Sequence, residues 1–114
     1  MVFKWFLIPF MVLHGAMHLI GWVVNLDRAR VGSLTGKLSF GFSKKWRKPL
    51  AQFWLLALIL FIAGSMALLL NYYWWWWEIL AAVIISQSLI VVWWQDAKTG
   101  TILNLLILIA LMLL

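Results

Sequence analysis

The chain contains no cysteine, which excludes disulfides, thiolate metal sites and cysteine nucleophiles. Carboxylates are almost as scarce: Asp27, Glu78 and Asp96 are the only three in 114 residues, and none lies inside a long apolar run. An intramembrane acid of the kind that couples protons to transport is therefore missing. Charged residues make up 11% of the chain, against about 25% in a soluble domain. No glycine-rich dinucleotide loop, Walker loop or serine elbow occurs. GSLTGK (32–37) pairs a glycine with a lysine but lacks the P-loop spacing and a preceding strand.

What fills the chain is hydrocarbon. Hydrophobic residues are 67% of it and the mean hydropathy is +1.04. A single domain of this length has too little interior to hide that much apolar surface from water, so the bilayer must be its solvent. The apolar runs predict an all-α, integral membrane four-helix bundle occupying residues 1–114 as one domain. Its antiparallel spans fall at about 3–26, 50–70, 77–95 and 100–114. The first run resembles a signal peptide only superficially, because it is too long, carries two histidines and has no small-residue cleavage site after it. Pro9 removes a hydrogen bond inside it and predicts a kink. Pro49 opens the second span, where a proline is tolerated in the first turn. The fourth run, Ile102 to Leu114, supplies only about 20 Å of rise, which is short for a full crossing.

The pI of 10.2 invites a nucleic-acid reading, but the distribution of charge argues against one. Seven of the nine Lys and Arg residues fall between Arg28 and Lys48. With Lys98 in the turn 95–101, eight of nine lie on one side of a four-span bundle. The positive-inside rule then makes 27–48 a cytoplasmic loop and puts both termini outside the cytoplasm. Phe40, Phe42 and Trp46 interrupt that loop's polarity, which suits a segment lying on anionic headgroups. NYYWWWW (71–77) reads as an aromatic turn at the opposite interface, and Trp93 with Trp94 as markers of the cytoplasmic one. Asp96 and Lys98 are expected to fix the cytoplasmic turn, Asp96 by capping span four or by pairing with a basic residue of the loop.

The stretch VLHGAMHLIGWVVN (12–25) carries the most unusual pattern. His14 and His18 are four residues apart and so share one helix face, a stripe that Gly21 and Asn25 continue. Lipid has no partners for imidazoles, so the stripe should face the bundle interior. Ser86, Gln87 and Ser88 on span three and Asn104 on span four reach similar depths. These six residues form the expected polar bundle core. Gly15 and Gly21 beside the stripe would let a neighbouring helix come close. Three uses of the histidines stay open: a hydrogen-bonded clasp, a metal or haem site, and proton or substrate handling by a small transporter or quinone-type enzyme. The cofactor is unknown, haem or metal being the candidates, with His14 and His18 the cofactor-binding residues. A structural or interaction component of a membrane assembly, pairing with a membrane-protein partner or a second copy of itself, is the leading function. The alternative is a binding, transport or redox subunit built on the two histidines.

LHGAMHLIGW (13–22), KPLAQFWLLA (48–57), the Trp-rich turn and ISQSLIVVWWQDAKTGTILNLLIL (85–108) together resemble a family of small bacterial four-span membrane proteins. In that family an LHG-x-x-H-L-x-G segment opens the chain and an SQ…DAK-x-GT-x-x-N segment closes it. The likeness extends at fold level to the DoxX group. This chain departs from the pattern in a longer and more cationic basic loop. The resemblance implies the four-span topology and a bacterial cytoplasmic (inner) membrane. It points to His14, His18, Gln87, Asp96, Lys98 and Asn104, and implies no chemistry.

Overall fold

A computed structural model describes residues 2–28, 30, 32 and 34–113. Among them no strand occurs. Helix α1 runs Val2–Asn25, α2 Arg47–Leu69, α3 Trp75–Val92, α4 Trp94–Ala97 and α5 Gly100–Leu113, with a 3-10 turn at Lys44–Trp46 before α2. Three helices are long and apolar enough to cross a membrane: Phe3–Asn25, Lys44–Leu69 including the 3-10 turn, and Trp75–Val92. Helix α5 is apolar but has 14 residues, about 21 Å of rise. The fourth expected span is thus present as a shorter helix.

Helix α1 continues through Pro9 unbroken. It stops by a Schellman motif: the Arg28 N–H donates to Val23 O at 2.9 Å and the Asp27 N–H to Val24 O at 3.1 Å, with Asp27 left-handed at φ 58°. Helix α2 stops the same way, through Tyr72 to Ala67 and Asn71 to Leu68, with Asn71 at φ 61°. Glycine usually takes that position. Asp and Asn tolerate it because their short polar side chains hydrogen-bond locally. Helix α2 begins at Arg47, so the basic stretch 27–48 is not loop throughout. The aromatic turn ends sooner than expected, since Trp75, Trp76 and Trp77 already belong to α3. Span three does not run on to residue 95: it breaks at Trp93, which has φ −107° and ψ 43°.

Helix α1 packs along α2, α2 along α3 and α3 along α5, while α5 touches α1 more sparsely. The bundle measures 44 × 23 × 23 Å, and its long axis matches a bilayer with its headgroup zones. Buried positions recur every three and four residues, as Leu7, Met11, His14 and His18 do on α1, with Asn25 one heptad further on. That 3.5-residue rhythm is the seam spacing of left-handed bundles. Along the bundle the core falls into two apolar clusters. One holds Leu7, Met11, Phe61, Leu68, Ile79, Val83, Ile107 and Leu111. The other holds Ala51, Trp54, Leu89, Ile90 and Trp93. On α3 Ser86 lies between Val83 of the first cluster and Leu89 of the second, and on α1 His14 and His18 lie between Met11 and Trp22, which packs against the second.

Two glycines set the closeness of α1 to α2. A Cβ on Gly15 would stand 2.7 Å from Phe61 Cβ, and one on Gly21 would stand 2.7 Å from the Trp54 ring. Gly64 on α2 plays the same part against Ile79 of α3. Small residues at such crossings let helices gain van der Waals contact that lipid cannot replace.

Candidate functional site

His14 and His18 are both buried, at 4% and 3% exposure. Their hydrogen bonds fix which ring nitrogen carries the proton. His18 Nδ1 lies 2.8 Å from the backbone oxygen of His14. A carbonyl only accepts, so Nδ1 donates and the other nitrogen of a neutral ring accepts. His18 Nε2 therefore takes the hydroxyl proton of Ser86, at 2.7 Å. Ser86 in turn accepts from Asn104 Nδ2 at 3.0 Å. The carbonyl of Asn104 accepts from His14 Nε2 at 2.7 Å. The second amide proton of Asn104 has Gln87 Oε1 at 3.2 Å, and Gln87 Nε2 donates to Thr101 Oγ1 at 3.0 Å. Every donor in the sequence His14, Asn104, Ser86, His18 has one acceptor, and the run ends on the α1 backbone.

Phe61 flanks both imidazoles, with ring centroids at 5.1 and 5.2 Å, and Trp54 stands 5.4 Å from His18. The two imidazoles themselves meet edge to face at 4.9 Å. Both nitrogens of His18 and Nε2 of His14 are engaged, which leaves no free nitrogen on His18 for a chelate. No group of three or more His, Cys, Asp or Glu side chains arranged to hold a metal occurs among the described residues. The donor set as arranged does not fit a two-histidine metal site. Two imidazoles on one helix face also do not bracket a haem from opposite sides.

The six expected core residues divide. His14, His18, Ser86 and Asn104 are buried together, and Gln87 joins them half-buried. Ser88 does not join: it is exposed and its hydroxyl returns to Ile84 O of its own helix at 2.8 Å. Residues two apart on a helix point about 200° from each other, so Ser86 and Ser88 could not both face in. Thr101 belongs to the network and was not anticipated. Its place three residues before Asn104, on the same face, was the available signal.

A second polar cluster lies at the loop end of the bundle. Asn25 Oδ1 accepts from the Trp93 indole at 2.8 Å and from Arg47 Nε at 3.2 Å. Arg47 also donates to Val24 O at 3.0 Å and pairs with Asp27 at 3.0 Å, placing a cation at the negative end of α1. Trp93, expected as an interface marker, is 1% exposed. Only Trp94 beside it meets the surroundings.

Among the described residues Asp96 neither caps α5 nor meets a basic side chain. Its carboxylate accepts from the Thr35 N–H at 3.1 Å, the Thr35 hydroxyl at 3.0 Å and the Gly36 N–H at 2.7 Å. Gly36 has φ +69°, a conformation that turns successive backbone N–H groups toward one acceptor. Asp96 thereby ties the segment 34–37 down over the end of the bundle. Lys98 is exposed.

Between the two polar clusters lies a cavity of ≈ 180 Å³. His14, His18 and Gly21 wall it from α1, Ile90 and Trp93 from α3 and its end, and Gly100 and Leu103 from α5. Trp54 closes it from α2, and Leu34 and Asp96 stand at the loop side. A cavity of about 150 Å³ accepts a benzene-sized molecule. Two buried side-chain polar atoms are left over among the described residues: His14 Nδ1 and the indole nitrogen of Trp54. The first is an acceptor in the proton assignment above and the second a donor, and both residues line the cavity.

No family model matches the chain, and no curated protein or solved structure matches it either.

Proposed function

We propose that this chain is an integral protein of a bacterial cytoplasmic membrane that holds one small, largely apolar molecule in the cavity beneath its histidine pair. The topology proposed with it is an antiparallel bundle of four crossings, with both termini away from the cytoplasm. Chain order through the two apolar clusters supports that topology. Helix α1 runs from the Leu7 end to the Asn25 end, α2 returns, α3 repeats the first direction and α5 returns again. Lys4 donates to Asn71 at 2.6 Å, joining the N-terminus to the α2–α3 turn. The Thr35–Asp96 bonds join the basic loop to the α4 end. All the cationic residues but Lys4 thus gather at one end, as the positive-inside rule requires of the cytoplasmic side.

The observation that carries the binding role is the cavity itself, walled mostly by apolar side chains with His14, His18 and Trp54 among them. His14 Nδ1 and the Trp54 indole nitrogen are buried without partners, and a bound molecule engages them only as those rings shift. Buried polar groups are ordinarily satisfied. A molecule with an apolar ring and a hydroxyl or carbonyl complements such a site, since small-molecule pockets are mostly apolar with a few placed polar groups. The quinone-type use of the histidines falls within this class.

The test is extraction of the purified full-length protein and mass spectrometry of what it carries, beside Leu103→Trp, which fills the cavity. A molecule present in stoichiometric amount in wild type and lost in a folded Leu103→Trp supports the binding role. Its absence from wild type, with a fixed membrane partner or second copy co-purifying instead, returns the protein to the structural-component function. Labelling of a single cysteine at position 36 from outside intact cells would overturn the orientation.

A further inference from the structure

The cationic residues of the loop do more than gather on one side of the membrane. Five of them, Lys37, Lys44, Lys45, Arg47 and Lys48, line one groove of ≈ 780 Å³, and no carboxylate lines it with them. Topology accounts for which side the charges are on. It does not account for their convergence on a single concavity.

The fold builds this groove. Ser43 opens the 3-10 turn by accepting from the Lys45 N–H, which sets Lys44 and Lys45 on the first turn before α2. Asp96 pins Thr35 and Gly36 from the other side, which brings Lys37 across to face them. Arg47 and Lys48 lean on Asp27, at 3.0 and 3.7 Å, and Arg47 is committed to the end of α1. That leaves Lys37, Lys44 and Lys45 as the groove's cations without a salt-bridge partner among the described residues. Phe42 lines the groove as well and is 45% exposed.

We propose that this groove is a specific site for one phosphate-bearing anion, supplied by the headgroup of an anionic phospholipid with a terminal phosphate. Lysines act as strongly hydrated point charges that suit a phosphate. A bare phosphomonoester carries up to two negative charges in a small volume, so three convergent ammonium groups distinguish it from a zwitterionic headgroup. The groove lies at the N-terminal end of the Lys44–Leu69 span, the end of a membrane helix that meets headgroups. Phe42, with its ring open to the surroundings, gives a lipid chain an apolar contact that a soluble anion does not use.

The experiment is native mass spectrometry of the full-length chain in a neutral detergent. The probes are phosphatidic acid, phosphatidylcholine and inorganic pyrophosphate. The variants are the triple Lys37→Gln/Lys44→Gln/Lys45→Gln and Phe42→Ala. The expected result is one phosphatidic acid retained per chain, saturating, with at least a tenfold loss of affinity in the triple variant and no retention of phosphatidylcholine. Phe42→Ala should weaken phosphatidic acid several-fold and leave pyrophosphate unchanged. Saturable pyrophosphate binding that is lost in the triple variant, without lipid retention, would keep the phosphate site but assign it to a soluble anion. Equal retention by wild type and triple variant overturns the proposal. So does a lipid count that rises with concentration and never saturates, because that is the behaviour of diffuse charge. Circular dichroism of the triple variant controls for folding, since all three lysines are exposed.

Discussion

The bundle holds two polar clusters, and they are built on different rules. The histidine layer is buried between apolar clusters, contains no carboxylate or permanent cation, and matches each donor to one acceptor. The loop-end cluster contains Arg47, Asp27 and Asp96, borders solvent, and bonds main-chain groups as well as side chains. The contrast follows from solvent. Hydrocarbon offers no alternative partner, so a polar group at that depth needs its complement from another helix. At the membrane surface water can satisfy side chains. What needs help there is the backbone of an irregular segment and the exposed carbonyls of a helix end.

Removing the hub of the inner layer should give the largest effect. Asn104 bonds His14, Ser86 and Gln87 and so links α5 to both α1 and α3. Intramembrane hydrogen bonds average about 0.6 kcal/mol each, so Asn104→Leu should cost about 2 kcal/mol. The measurement is reversible unfolding in mixed micelles. A cost below about 0.5 kcal/mol would mean that the layer contributes nothing and that the contrast between the clusters is one of position only. Raising salt should leave the Asn104→Leu difference unchanged, because no ionic pair is broken.

Asp96→Asn tests the outer cluster and should be smaller and local. The amide retains one acceptor oxygen, so part of the Thr35 and Gly36 bonding survives, but the charge assistance is lost. The expected cost is about 1 kcal/mol, appearing as faster hydrogen exchange in residues 34–38. Protection of the His14–His18 segment should not change. Equal acceleration in both places would show that the clusters form one cooperative unit. The ion pair of Arg47 with Asp27 should weaken with added salt, since both groups are partly exposed.

The all-helical character and the three long apolar helices were legible in hydropathy alone, because a run of twenty apolar residues has few alternatives in water or lipid. The inner layer was legible through a different signal. A membrane helix is as apolar outside as inside, so hydrophobicity does not mark its buried face. Polar and small residues do. His14, His18, Gly15, Gly21 and Asn104 stood out for that reason. The loop end was less legible. Asp27 ending α1 left-handed, Trp93 turning inward to Asn25, and Asp96 holding main-chain amides all depend on how an irregular segment folds back. No periodicity encodes that. The shorter run that becomes α5 was visible as a length deficit.

The smallest effect separates two residues that the sequence treats alike. Ser86 and Ser88 flank Gln87, and both sit in the C-terminal half of α3. Ser86 is 0% exposed and closes the link between His18 and Asn104. Ser88 is exposed and bonds the carbonyl four residues back, a local bond that holds nothing between helices. Ser86→Ala removes one acceptor and one donor, leaving His18 Nε2 and one Asn104 proton unmatched, and should cost about 1 kcal/mol. Ser88→Ala should fall within about 0.5 kcal/mol of wild type, as surface changes usually do. The same unfolding assay compares them directly. If the two variants prove equal, the proton assignment through Ser86 fails. A larger loss for Ser88→Ala would mean that the exposed face of α3 is covered in the membrane, which would make Ser88 part of a contact with a partner or with a second copy of the chain.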